Sequence, residues 1–259
     1  MRASRVLMAS VVAQAVLLGA LLWVVGAGIA GAAVGVTCGV LGWTVLARTL
    51  AEHGRAGLGP ADHVTITRGA LACVVAALTI DAALAASADS SLVLIASVAL
   101  VLDAVDGWVA RRTRTTSALG ARLDMEVDAF LILVLSVAAS GVLGWWVLAT
   151  GAFRYLLLVA TWALPWLGGA VPPRYWRKAV AALQGVVLTL AVARVLPDGG
   201  ATGAVVLALA LLAWSFGTQV VALWRTRASD TGAPVERRIL RRPDGAADVD
   251  GAQPVRVLR

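Results

Sequence analysis

Charge is what this sequence has little of. Asp, Glu, Lys and Arg make up 14% of its 259 residues, against 60% apolar ones. An ordinary soluble domain carries about a quarter charged residues, so that class is excluded. Cysteine is nearly absent. Cys38 and Cys73 lie in separate apolar stretches, which leaves no disulfide framework and no thiolate metal site; both read as packing residues. There is no internal repeat, and neither His nor Cys accompanies the one dense cluster of acids described below.

What is abundant is apolar sequence in long runs. Crossing a hydrocarbon core as a helix takes about 20 residues. Eight runs approach that length: Val6–Val25, Ile29–Ala47, Val64–Leu84, Leu92–Val109, Asp124–Val142, Trp146–Leu167, Ala179–Val195 and Ala201–Trp224. In lipid every backbone polar group needs an internal partner, so the runs are predicted to be helices and the fold class an all-α polytopic membrane protein. The first run exceeds the 7–15 apolar residues of a signal peptide and is expected to remain as a helix. Trp23, Trp145 and Trp146 on one side, with Trp108, Trp176 and Trp224 on the other, read as interfacial belts.

The basic residues fall in alternate connections. Arg2 and Arg5 precede the first run, and Arg48 and Arg55 follow the second. Arg111, Arg112, Arg114 and Arg122 lie between the fourth and fifth, and Arg174, Arg177 and Lys178 between the sixth and seventh. The positive-inside rule then predicts a plasma-membrane protein with both termini on the cytoplasmic side. The net charge of +7 is accounted for by this asymmetry and calls for no nucleic-acid partner. Four regions are expected: two N-terminal transmembrane helices (1–47), an interfacial segment (48–60), a six-helix membrane domain (61–224) and a polar, Arg-rich, disordered cytoplasmic tail (225–259).

Against this background four aspartates stand out. Asp103 and Asp106 are three residues apart, and Asp124 and Asp128 four apart, so each pair shares one helix face. The short link between the pairs permits a helical hairpin that brings them together at the cytoplasmic interface. Acids at membrane depth are costly and mark function by default, and four together need cations to stay charged. An all-oxygen donor set selects Mg²⁺, Mn²⁺ or Ca²⁺ over zinc. Two such ions clamp a transferring phosphorus, and Arg111 is in register to meet a diphosphate. Gly107 and Ala110 are small enough to admit a bulky ligand against the helix.

Asp103-x2-Asp106-Gly107-x2-Ala110-Arg111-x8-Gly120-x3-Asp124-x3-Asp128 resembles the full signature of the CDP-alcohol phosphotransferases, and Asp62-x2-Thr65-x2-Arg68 is similar to the family's Asn-x2-Thr-x2-Arg pattern, with Asp in place of Asn. The resemblance covers about Pro60 to Trp224 as a six-helix core and leaves the first two helices outside. It implies two divalent cations, Mg²⁺ or Mn²⁺, held by the four aspartates, with Asp128 also the general base. It further implies a nucleotide framed by Thr65, Gly107, Ala110, Arg111 and Gly120, release of CMP, and a homodimer.

The expected reaction is transfer of a phosphatidyl group from CDP-diacylglycerol to an alcohol acceptor in phospholipid biosynthesis, since a site in the bilayer admits acyl chains from the side. A CDP-choline-type donor with a diacylglycerol acceptor uses the same motif. Arg154, Arg174, Arg177 and Lys178 are candidate acceptor or phosphate contacts; all but Arg154 also fit the positive-inside pattern. Two other classes are open. An intramembrane Mg²⁺-dependent prenyltransferase would carry its Asp motifs on helices far apart in sequence. A cation transporter would have no use for the glycines, Ala110 and Arg111 in register.

Overall fold

Helices account for nearly every residue in the computed structural model, which describes residues 2–52, 60–85, 90–113, 118–168 and 175–231. In chain order these are α1 (Arg2–Val24), α2 (Ile29–Glu52), α3 (Pro60–Ala85), α4 (Ser90–Thr113), α5 (Ala118–Leu143), α6 (Leu148–Ala163), α7 (Tyr175–Val192) and α8 (Asp198–Thr231). Short 3₁₀ turns at Trp145–Val147 and Pro165–Gly168 flank α6, and there is no strand among the described residues. The protein is an all-α polytopic membrane protein. By length and apolarity Ile29–Leu50, Asp62–Ala85, Gly120–Leu143, Trp145–Ala163 and Gly199–Arg225 suffice to cross a bilayer. Ala9–Val24, Ser90–Val105 and Ala179–Val192 are shorter apolar stretches. In α4 the shortening has a visible cause: the apolar run ends where Asp106, Arg111 and Arg112 begin.

The helix bounds refine the expected ones. α5 starts six residues before Asp124, so the second aspartate pair sits inside a helix that continues past it at both ends. α6 ends at Ala163 rather than running to Leu167, because Pro165 cannot supply a helical N–H and restricts the residue before it. α2 continues through the first residues of the expected interfacial segment to Glu52, and α8 reaches Thr231. The rest of that segment (53–59) and the tail beyond 231 lie outside the described residues.

The bundle is organised around α3. Every residue from Ala70 to Thr79 is buried, so this helix is enclosed on all sides. It packs against α1, α2, α4 and α5, while α5 in turn packs on α6 and α7, and α7 on α8. Val74, Val75, Leu78, Leu131, Leu135 and Leu188 make the centre of the core. The outer faces are apolar as well, with Val12, Val40, Leu156, Val206 and Trp214 exposed, as expected of helices solvated by lipid. Trp23 and Trp145 stand exposed at helix ends. Cys38 and Cys73 are unbridged, Cys73 being buried against its neighbours.

Candidate functional site

The site is assembled from three helices. α4 carries Asp103 and Asp106, α5 carries Asp124 and Asp128, and α3 supplies a residue given no role by the acidic pattern, Arg68. α4 and α5 share no extended interface among the described residues; α3 and α7 each pack on both. The expected hairpin therefore closes around an intermediary. Arg68 is 1% exposed and reaches all three described aspartates. Its Nη1 lies 2.9 Å from Asp103 Oδ1 and 2.6 Å from Asp124 Oδ1, and its Nη2 donates to Asp128 Oδ1. Carboxylate oxygens of Asp103, Asp124 and Asp128 lie within 4.8 Å of one another, and Asp124 is buried. The side chain of Asp106 lies outside the description.

Among the described contacts three carboxylates converge on one guanidinium, an acid-rich arrangement in a setting walled by apolar helices. Ionic groups in such a setting are tolerable only with partners that offset and hydrogen-bond them. The donor set is all oxygen, converges from two helices and faces a cleft, which fits a hard divalent cation. The cleft is small and partly open, and Asp103 and Asp128 line it together with Leu100, Leu131, Ile132, Ala181 and Ala182. Gly185 completes the lining, and a Cβ there would come within 2.6 Å of Leu100 Cδ2, so α4 and α7 approach closely where the cleft is apolar.

The remaining expected site residues divide into three groups. Thr65 is buried on α3 one turn before Arg68, and Asp62 is buried one turn before that, so this motif forms a stripe on one face. Gly107 and Gly120 are half-buried on α4 and α5. Ala110 and Arg111 belong to α4, and Arg177 and Lys178 to α7, with side chains outside the description; Arg174 lies wholly outside the described residues. Arg154 is paired within the fold: its Nη2 lies 2.6 Å from Glu126 Oε1, tying α6 to α5. Arg68 was legible only as the end of the Asp62-Thr65-Arg68 spacing; nothing in the acidic motif shows that it belongs at the centre.

A helical membrane bundle whose acids converge on an oxygen-only donor set beside a cleft suits a hard divalent cation, and such cations serve phosphate chemistry. The family model for CDP-alcohol phosphatidyltransferases matches residues 58–222, from just before α3 into α8, and the chain belongs to that family. No curated protein and no solved structure is significantly similar to it. The family transfers a phosphate-linked group from a CDP-alcohol and depends on divalent cations, and the match leaves α1 and α2 outside.

Proposed function

We propose that the protein transfers a phosphatidyl group from CDP-diacylglycerol to an alcohol acceptor, releasing CMP, at the cytoplasmic face of the plasma membrane. The observation that carries this reading is the meeting of Asp103, Asp124 and Asp128, two of which, Asp103 and Asp128, line a cleft that is otherwise apolar. Apolar side chains of Leu100, Leu131 and Ile132 beside acids suited to a metal-bound diphosphate favour a lipid-linked donor. Family membership favours this reaction over prenyl transfer or ion transport.

In this mechanism Asp103, Asp106, Asp124 and Asp128 would hold two Mg²⁺ or Mn²⁺ ions, which would supply charge neutralisation for the diphosphate and polarisation of the phosphorus. Thr65, Gly107, Ala110, Arg111 and Gly120 frame the cytidine nucleotide. Asp128 takes the proton from the acceptor hydroxyl as its oxygen forms a bond to the phosphorus nearer the lipid. The bond from that phosphorus to the oxygen bridging to CMP breaks, and CMP leaves with the electron pair. Arg68 fixes the carboxylate orientations through its contacts to three of them. Arg174, Arg177 and Lys178 are candidates for a phosphorylated acceptor, with Arg154, paired with Glu126, as the fourth, and a homodimer is the expected assembly.

The test is release of CMP by the purified protein from CDP-diacylglycerol with Mg²⁺ or Mn²⁺. The acceptor panel is inositol phosphate, inositol, glycerol phosphate, serine and phosphatidylglycerol, scored for lipid product. One acceptor is expected to give product and the chelated protein none. No CMP with any donor and acceptor sinks the reading.

A further inference from the structure

The two N-terminal helices lie outside the family match, yet they touch the core at residues next to those that carry the site. Gln14 in the middle of α1 donates from Nε2 to Thr67 Oγ1 at 3.3 Å, and Thr67 is the residue before Arg68. Thr67 in turn donates to the His63 carbonyl at 2.9 Å, which holds the hydroxyl oxygen towards its own helix and open to Gln14. The far end of α2 makes the second contact. Leu46 and Leu50 form a separate buried cluster with Leu123 of α5, joined by Trp43 and Ile66. Leu123 is the residue before Asp124, and Ile66 lies two before Arg68. So α1 bears on the turn of α3 that carries Arg68, and α2 bears on both that turn and the start of the aspartate helix.

A second attachment fixes the other end of the pair. The Asp81 carboxylate of α3 accepts the Gly28 N–H at 2.8 Å and the Gly31 N–H at 3.1 Å. Gly28 opens α2, since its carbonyl takes the first helical bond, from Ala32. The acid therefore caps a neighbouring helix, supplying partners for N–H groups that α2 itself cannot satisfy. Close approach requires glycine here: a Cβ on Gly31 would come within 2.5 Å of the Ala77 carbonyl. By helical rise, Asp81 lies about 20 Å along α3 from Arg68. The pair is thus anchored at one end of α3 and bears on the site at the other.

We infer that α1 and α2 are a positioning element of the site, with Gln14 and the Leu46–Leu50 contact holding Arg68 and Asp124 in register while Asp81 serves only to anchor the pair. The inference rests on the function proposed above for that site. A polar side chain is a common glue between helices in lipid, and one bond beside a buried guanidinium is well placed to set its direction. Small errors of placement at a reacting centre are amplified in rate.

Gln14→Leu, Thr67→Val and the double variant test it, with Leu46→Ala as an independent probe of the second contact and Asp81→Asn as the anchor control. Gln14→Leu is expected to lower kcat for CMP release about 10-fold, to raise the Mn²⁺ concentration for half-maximal binding read by the metal's paramagnetic signal, and to leave the thermal midpoint within a few degrees. Thr67→Val should reproduce this without adding to it in the double variant. Leu46→Ala should move the same quantities in the same direction. Asp81→Asn should lower the thermal midpoint and leave kcat and Mn²⁺ binding at wild-type values.

Amide exchange supplies a readout that needs no activity. Gln14→Leu should speed exchange in residues 62–70 and spare 76–85, and Asp81→Asn should do the reverse. If wild-type protein releases no CMP, the proposed reaction fails and the exchange contrast still decides the positioning role. Unchanged exchange around Arg68 in both Gln14→Leu and Leu46→Ala, or equal effects of Asp81→Asn on kcat and on metal binding, overturns the inference.

Discussion

The two ends of α3 handle acidic charge in opposite ways. At one end a single carboxylate, Asp81, accepts two backbone N–H groups and caps a neighbouring helix. At the other, three carboxylates share one guanidinium, that of Arg68. Both ends put acids in helices apolar enough to lie in a membrane, where an acid is a functional candidate by default. Only the second is chemically unfinished. The difference teaches that membrane depth alone does not mark a site: a carboxylate with its hydrogen-bond partners in place is structure, and a convergence of carboxylates facing a cleft is capacity for a ligand.

The largest expected effect breaks the unfinished end. Asp128→Asn removes the proposed proton acceptor and one ligand, and should lower the rate of CMP release at least 10²-fold with the helical content unchanged. Single-turnover release from labelled donor, alongside circular dichroism, measures both. Full activity in this variant would remove the general base while leaving the other three aspartates as a metal site. Next in size, Arg68→Gln leaves the three carboxylates facing one another. Breaking a buried charge network costs about 3–5 kcal/mol, and that loss should appear in chelator and shrink when Mn²⁺ or Mg²⁺ is added. Thermal midpoints with and without metal decide it. An equal loss in both conditions would mean that Arg68 and the cations do not draw on the same acids.

The unfinished end was the part most open to sequence reading. Asp103, Asp106, Asp124 and Asp128 announce themselves by helical spacing within apolar runs, because helix periodicity is a local property. What spacing does not carry is the third helix between them. Arg68 lies 35 residues before Asp103 and 60 before Asp128, and only packing puts it at their centre. The finished end was not legible at all. Asp81 is one acid near the end of an apolar run, and its partners are backbone groups some 50 residues away that leave no side-chain signature. Helix bounds failed for a more ordinary reason: Pro165 stops α6 early, while apolarity continues to Leu167. The role of the first two helices depends on contacts such as Gln14 with Thr67, which no motif encodes.

Smaller effects sharpen the same contrast from the finished side. Asp81→Asn keeps shape and one acceptor but loses the negative charge at the α2 N-terminus, for an expected loss of about 1–2 kcal/mol. Denaturation in mild detergent should report it. A variant at Gly31 is harsher, since a side chain there meets Asp81 and the Ala77 carbonyl, and Gly31→Val should separate α2 from α3 and lower expression of folded protein. If Asp81→Asn proves neutral, the capping reading is wrong and α2 is held by shape alone.

The smallest change is expected at Arg154, where charge is paired one to one. Its guanidinium lies 2.6 Å from Glu126, and both side chains are about a third exposed. That is neither the closed arrangement of Asp81 nor the convergence of the aspartate cluster. Such a pair is worth about 0.2–1 kcal/mol where water reaches it, somewhat more if lipid covers it. Arg154→Gln should therefore shift the thermal midpoint by little and change KM for the acceptor less than 3-fold. Glu126→Gln should behave alike, and the double variant should recover part of the loss. The competing expectation is that Arg154 binds a phosphorylated acceptor and that Glu126 only holds it between turnovers. In that case KM for a phosphorylated acceptor rises 10-fold or more in Arg154→Gln but not in Glu126→Gln, and KM for the CDP donor stays put. An asymmetry of that kind would place Arg154 with the ligand-binding groups rather than with the structural pairs.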